Sequence, residues 1–397
     1  MIYSKTQQTL LIILCALCIC SCQSKIKQST DTYRIDLIES KKISLTLDEK
    51  TDVISLSIFQ FEEDGKEYLS FGNFNKKQKE LILFDLEKEA IHKRIPLDKE
   101  SLNGVACVRG CKSLNGSQSF LSFQHNCFLL SIIDGEGKQI KQFSTAPRDN
   151  MFILSAAGQS YDWQPSFVID SVLYFGAGLQ PLEGSIKRHH WKEFPLFTSL
   201  DLRNGEIDWY MHYPSIFDHD VDNPAGGYEF TYDYNPKQNR LVCSFGLYDS
   251  LMVSDDLHHM KWIDGKSRYL KSMRPILPEA GLGPQTFIKF REMARYTHIM
   301  YDKYRDVYYR IVDHPCKLGF GESFMDEPKA REFSIIIFDK DLNIIGETKF
   351  PGNKYFYKMS FVGRDGLYIS ENNLANPEFD EDKLVFACFA LEDVKEK

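Results

Sequence analysis

The feature that most constrains this chain is a unit that recurs five times: an apolar strand rising into an aspartate, a tight turn, then a more polar strand. It reads ELILFDLEKEAIHKRIPL at 80–97, CFLLSIIDGEGKQIKQFS at 127–144 and LFTSLDLRNGEIDWYMH at 196–212. Later copies are SLMVSDDLHHMKWIDGK at 250–266 and FSIIIFDKDLNIIGETKF at 333–350. The aligned acids are Asp85, Asp134, Asp201, Asp255 and Asp339. Short apolar runs bounded by polar turns mark hairpins, and copies are preceded by two further strands, 228–234 and 240–245 for the fourth and 295–301 and 306–312 for the fifth. Four-stranded units repeating at roughly 45 to 65 residues mark propeller blades. A sixth copy supplies three strands, 357–362, 366–370 and 383–390, and lacks its fourth. A lone strand at 42–47 (KISLTL) can complete it, which closes the ring and hides two sheet edges. The expected fold is all-β: a six-bladed β-propeller over residues 33–397, closed by pairing of the N-terminal and C-terminal strands. Two stacked β-sandwich domains would leave 42–47 unexplained.

Ahead of this domain, Lys5 and an apolar run from Leu10 to Cys20 read as a signal peptide, residues 1–21. Eleven apolar residues are too few to span about 30 Å of hydrocarbon. The order Ile19-Cys20-Ser21-Cys22 resembles a bacterial lipobox, which implies lipidation of Cys22 and a polar tether over 22–32. Cys20 departs from the Ala, Ser or Thr more usual there, and plain secretion is the alternative. The whole chain resembles an uncharacterised family of Bacteroidetes-type lipoproteins with a six-bladed, propeller-like fold. The resemblance rests on the lipobox, the repeated Asp-turn strands and YTHIMYDKYRDVYYR at 296–310. It implies a fold and a location, and carries no activity. Some surface-exported lipoproteins of that group have acidic residues after the cysteine. Gln23-Ser24-Lys25-Ile26-Lys27 stands here instead, so a periplasm-facing outer-membrane anchor is expected.

The formal charge is −8, and removing residues 1–21 takes away only Lys5. That acidic balance argues against nucleic acid and against broad adsorption to anionic lipid. Outside the signal and Cys22, six cysteines remain. Cys107 and Cys111 have a spacing a small disulfide can use, but buried thiols are the simpler reading, and no metal-ligand spacing accompanies them.

Loop lengths differ between the two faces of such a propeller. Loops joining the first strand of a blade to the second, and the third to the fourth, are short: 235–239, 302–305 and 363–365. Loops joining second to third strands, and one blade to the next, hold the long insertions: 179–195, 213–227, 271–294, 314–332 and 371–382. Long loops on a rigid scaffold are where binding residues collect, so one face is expected to act.

Within those loops, Asp218, Asp220, Asp222 and Glu229 have the 1, 3, 5, 12 spacing of a calcium loop. Asn223 replaces the turn glycine, and a strand rather than a helix follows, so a solvated acidic loop is the rival reading; Ca²⁺ is the one candidate cofactor. His189-His190 and His258-His259 are adjacent pairs whose side chains point apart on a strand, and read as surface histidines. Tyr161, Trp163, Trp191, Phe217 and Tyr228 offer flat aromatic surface that suits sugar rings or peptide side chains, or else plugs the rim of the core. Arg274, Arg291 and Arg295 bracket a Pro- and Gly-rich insert and can clamp an anionic group, or pair with the acidic surface. No GxSxG, HExxH or phosphate-loop pattern is present. The reading is a lipid-anchored envelope binding module for a glycan, peptide or protein, rather than an enzyme. The alternatives are a metal-assisted propeller hydrolase or lactonase using the acidic loop, and an accessory subunit of an outer-membrane complex.

Overall fold

Each Asp-turn is built by the aspartate itself. A carboxylate at the end of a strand can accept the backbone N–H groups two to four residues on and so stand in for a backbone turn. Asp85 Oδ1 accepts from Glu87 N at 3.1 Å and Lys88 N at 3.0 Å. Asp134 Oδ1 accepts from Glu136 N and Lys138 N, both at 2.9 Å. Asp339 Oδ1 does the same for Asp341 N and Asn343 N, again at 2.9 Å. Asp201 Oδ1 takes Arg203 N at 2.8 Å. In the fourth copy the role falls to Asp256, which accepts from His258 N and His259 N. Asp255, the acid aligned by sequence, instead pairs with Arg240 and Lys261, each at 2.6 Å.

These hairpins belong to a computed structural model that describes residues 34–74, 79–97, 108–115, 118–123, 129–144, 153–155, 164–180, 195–214, 230–271, 273, 284–319 and 329–394. All lie in one compact unit, Tyr33–Lys397. Among them no helix is long and apolar enough to cross a membrane.

Strand β1 (Ile35–Thr46) precedes four separate antiparallel sheets of four strands each. The first holds β2 (Ile58–Glu63), β3 (Lys66–Asn73), β4 (Glu80–Asp85) and β5 (Ala90–Pro96). The second holds β6 (Val108–Asn115), β7 (Gln118–Phe123), β8 (Leu129–Asp134) and β9 (Gln139–Ser144). Next, β10 (Ile153–Ser155) pairs with β13 (Gly178–Gln180) as a separate ribbon. The third sheet holds β11 (Phe167–Ile169), β12 (Val172–Gly176), β14 (Pro195–Asp201) and β15 (Ile207–His212). The fourth holds β16 (Phe230–Asn235), β17 (Arg240–Phe245), β18 (Ser250–Ser254) and β19 (Lys261–Asp264).

Helix α1 (Pro284–Glu292) then leads into β20 (Arg295–Asp302), β21 (Val307–Asp313), β22 (Phe333–Phe338) and β23 (Ile344–Phe350). The chain finishes with β24 (Phe356–Val362), β25 (Leu367–Ser370) and β26 (Lys383–Asp393). These last seven strands and β1 make a single eight-stranded sheet in the order β20-β21-β22-β23-β1-β26-β25-β24. The early strand therefore pairs with the late one, Ile35 opposite Asp393 through Thr46 opposite Lys383.

The expectation of six separate blades is corrected: four four-stranded sheets and one eight-stranded sheet form. The cause is the length of β1. Its later half pairs as the repeat predicts, but it runs on N-terminally until Ile35 bridges Gly346 of β23 in parallel and fuses two four-strand groups. The ends of the fused sheet, β20 and β24, come back together, so that it nearly closes into a barrel.

Apolar side chains fill the space between neighbouring sheets. Ile58 and Phe71 pack against Phe386 and Leu384, Leu130 and Phe143 against Leu173 and Phe175, and Val242 and Leu251 against Ile336 and Phe338. The first strands of successive sheets lie innermost, with β2 beside β6 and β24, and β20 beside β16 and β24. The arrangement is propeller-like.

Candidate functional site

The two ends of the sheets are built differently. At the short-loop end, hairpin tips are tied to one another. Glu62 at the end of β2 accepts from Arg364 Nη2 at 2.5 Å and from the Tyr304 hydroxyl. Gln60 Nε2 donates to Tyr304 at 2.9 Å, and Arg305 donates to the carbonyls of Arg364 and Gly363 at 2.9 and 2.8 Å. Those bonds from Arg364 and Tyr304 pull the Glu62 carboxyl down to about 2.

At the opposite end, 265–294 links β19 to β20, 314–332 links β21 to β22 and 371–382 links β25 to β26, and buried polar side chains hold the feet of these segments. Asp313 ends β21 opposite Arg295 at the start of β20 and has no exposed surface. Its Oδ2 accepts from Arg295 Nε at 3.1 Å and lies 3.6 Å from Arg331 Nη1; its Oδ1 accepts from the Tyr357 hydroxyl. A buried charge is costly unless it is paired and hydrogen-bonded, and this carboxylate has two guanidiniums and a phenol. Arg331 also donates to the carbonyls of Met293 at 2.9 Å, His314 at 3.1 Å and Arg291. One side chain thereby locks the end of α1 to the exit of β21. Arg295 adds a stacking contact, its guanidinium 5.1 Å from the ring centre of Phe290 in α1.

A second buried carboxylate, Glu347 of β23, holds the neighbouring foot. Its Oε1 accepts from Ser267 Oγ at 2.5 Å and Ser334 Oγ at 2.7 Å, and its Oε2 from Arg268 N at 2.8 Å. Ser334 Oγ also lies 3.0 Å from His314 Nε2. Beside the Asp313 network, His298 is buried edge-on to Tyr357. Burial, helped by the Lys358 and Arg295 cations, holds its pKa well below the usual histidine range, so it is neutral at physiological pH. The 371–382 segment is knitted by asparagines: Asn373 Nδ2 donates to the carbonyls of Lys329 and Tyr355, both at 3.1 Å, and Asn372 Nδ2 to that of Lys383 at 2.7 Å.

The sequence-derived candidates divide accordingly. Arg295 is in this network, buried against Asp313, and Arg291 contributes its carbonyl through α1. Tyr161, Trp163, Trp191, Phe217, Tyr228 and Arg274 lie outside the described residues, as do Cys22, His189, His190 and the calcium-loop candidates Asp218, Asp220, Asp222 and Glu229. His258 and His259 are exposed at a turn, His259 pairing with Asp256 at 2.6 Å. Among the described residues no three His, Cys, Asp or Glu side chains converge as a metal ion requires. Cys111 is a buried free thiol among them, and Cys107 lies outside them.

Sequence reasoning missed Asp313, Arg331, Tyr357 and Glu347. The signal available for Asp313 was a charged residue closing a strand whose other positions are five apolar or aromatic residues and Arg310; its partner becomes visible only once β20 and β21 are set in register.

Comparison with known proteins fixes the family. Residues 34–349 match the family described as Domain of unknown function (DUF4221). The chain belongs to the DUF4221 family. A crystal structure of a DUF4221 member from Bacteroides vulgatus ATCC 8482 is 46% identical, covers 91% of this chain and 100% of its own, and superposes with a TM-score of 0.85. That agrees with the propeller-like, uncharacterised family expected from the sequence. A luciferin-regenerating enzyme matches at 9% identity and a TM-score of 0.42, over 87% of this chain and 94% of its own. Virginiamycin B lyase from Staphylococcus aureus matches at 10% and 0.41, over 88% and 99%. Likeness that distant says nothing of activity in a DUF4221 protein. No curated protein sequence matches the chain.

Proposed function

We propose that this DUF4221 chain is a lipid-anchored binding module of the bacterial envelope that takes a glycan, peptide or partner protein on its long-loop face. In this reading Cys22 is lipidated, the protein sits on the outer membrane facing the periplasm, and the eight-stranded sheet does the work of two blades. The supporting observation is the asymmetry of the two ends. Short hairpins are cross-tied at one end, while at the other the buried Asp313 and Glu347 networks pin the feet of long excursions. Loops with rigidly held feet present a preorganised surface at low entropic cost. Tyr161, Trp163, Trp191, Arg274, Arg291 and Arg295 are the side chains the reading assigns to ligand contact or its support.

The test is binding of the full chain to glycan and peptide arrays, followed by titration of the best ligand against Trp163→Ala, Trp191→Ala and Arg274→Ala. Saturable binding without turnover, weakened about tenfold or more in those variants, is the expected result. Turnover that depends on a divalent cation would replace the module by a metal-assisted hydrolase acting through Asp218, Asp220, Asp222 and Glu229. Palmitate labelling lost in Cys22→Ala checks the anchor.

A further inference from the structure

The innermost strands carry two charges that no described side chain of opposite sign pairs. Lys112 of β6 is half-buried; its Nζ donates to the Ser166 carbonyl and stands 5.8 Å from the ring centre of Phe59 on β2. Asp233 of β16 is half-buried as well, its Oδ1 accepting from Tyr234 N at 2.8 Å and its Oδ2 from Tyr301 N at 2.7 Å on β20. Both side chains therefore hold backbone partners only, although an enclosed charge ordinarily finds a counter-charge. Thr231 lies two residues before Asp233 on the same strand and so on the same face. Its hydroxyl is buried without a hydrogen-bond partner, and so is that of Ser166. Buried polar atoms left in this state call for an explanation.

The two charges sense each other. Burial is the larger influence, holding the Asp233 carboxyl up at about 6 and the Lys112 amine down to about 8, and each charge partly offsets the effect on the other. Shifts of this kind, away from any ion pair, are typical of functional positions.

We propose that β6, β16 and the segment preceding β11 form a binding site for a small zwitterion of amino-acid type, with its carboxylate on Lys112 Nζ and its ammonium on Asp233. The Thr231 and Ser166 hydroxyls take its remaining polar contacts. A zwitterion suits this wall because it supplies both missing counter-charges while adding no net charge. A simple anion would answer Lys112 and leave Asp233 opposed; a simple cation would do the reverse. The site lies on the inner strands and is independent of the long-loop surface.

The experiment is calorimetric titration of the full chain at neutral pH with the common free amino acids, using acetate and methylammonium as single-charge probes. At least one amino acid is expected to saturate the protein, with both single-charge probes at least about tenfold weaker. Lys112→Met and Asp233→Asn are each expected to weaken that binding by about tenfold or more. Should Lys112→Met not fold, Asp233→Asn decides alone, since it keeps the side-chain shape while removing the charge and one of the two backbone acceptors. Absence of amino-acid binding up to about 10 mM, binding unchanged in Asp233→Asn, or acetate matching the amino acid would each overturn the proposal. Trp191→Ala, which tests the long-loop reading, should leave amino-acid binding intact, so the two readings fail separately.

Discussion

Gly346 passes directly beneath Ile35: a Cβ at position 346 would stand 2.0 Å from the Ile35 carbonyl oxygen. These residues form the parallel pair that joins β1 to β23, and Arg34 N donates to the Ile345 carbonyl at 2.8 Å beside them. The bare α-carbon is what lets the eight-stranded sheet continue across this point. Because the obstructing atom belongs to the backbone, Gly346→Ala cannot be relieved by a rotamer change.

We therefore expect Gly346→Ala to destabilise the fold by about 2 kcal/mol or more, in the range of overpacking. Gly65→Ala is the control: its φ is +76° but nothing lies within 4 Å of the added carbon, so it should cost about 1 kcal/mol from backbone conformation alone. Urea midpoints of the two variants make the comparison. Equal losses would show that the Ile35–Gly346 junction is loose.

Closure through β1 rests on its inward side chains. Leu45 is fully buried among Ile58, Leu384 and Phe386, whereas Ile38 on the same strand is 44% exposed. Leu45→Ala should cost about 3 kcal/mol, the usual loss for an emptied core site. Ile38→Ala should stay within about 0.5 kcal/mol. If the two variants unfold at the same denaturant concentration, β1 contributes pairing without core.

The hairpins were legible because two signals agree at each of them, alternating burial and an aspartate that builds its own turn. The closing strand was legible because 42–47 had no other partner. The rest of β1 was hidden by its composition: Glu39, Ser40 and Lys41 are exposed and lack the apolar alternation that marks a strand. Nothing in the sequence marks Gly346 as a crossing point, so the fusion of two sheets could not be foreseen. Asp255 and Asp256 are adjacent acids, and only register tells which one caps the turn. The candidate site was half legible for a related reason. Arg295 was visible as a cation near a long insert, but Asp313 lies 18 residues away along the chain and Arg331 beyond that. Lys112 shares β6 with Arg109 and Asp233 is the one charge of β16, patterns that solvent-facing residues share.

Among the described residues Arg310 is the largest wholly buried side chain, and no described carboxylate pairs with it. Its Nε donates to Ser244 Oγ at 2.9 Å, Nη1 to the carbonyls of Asp249 at 2.6 Å and Gly265 at 2.9 Å, and Nη2 to that of Tyr248 at 2.7 Å. The guanidinium lies 3.5 Å from the ring centre of Tyr296. Burial lowers its pKa to about 10, which leaves it charged at neutral pH. Arg310→Met should cost about 3–5 kcal/mol, because several buried carbonyls lose their donor at once. Arg310→Lys should recover little, since an ammonium cannot reproduce the planar fork. Full rescue by lysine in chemical denaturation would mean that the charge matters and the fork does not.

Asp233 sets a pH dependence of definite sign. Its carboxyl is raised from 3.8 to about 6 in the folded chain, mainly by burial. Between those values the folded state holds the proton that the unfolded state has lost. The contribution is thus fully present below about pH 4 and disappears as pH rises through about 6, amounting to about 3 kcal/mol at most. Asp233→Asn removes the titration but leaves one of the Tyr234 and Tyr301 N–H groups without its acceptor, at a cost of about 1 kcal/mol. The variant should therefore be less stable than the parent by about 1 kcal/mol near pH 4, and more stable by about 1–2 kcal/mol near pH 8. Urea unfolding of both proteins across that interval reads the difference directly. A constant offset with no crossing would show that the Asp233 carboxylate is charged throughout, with Lys112 or water compensating it.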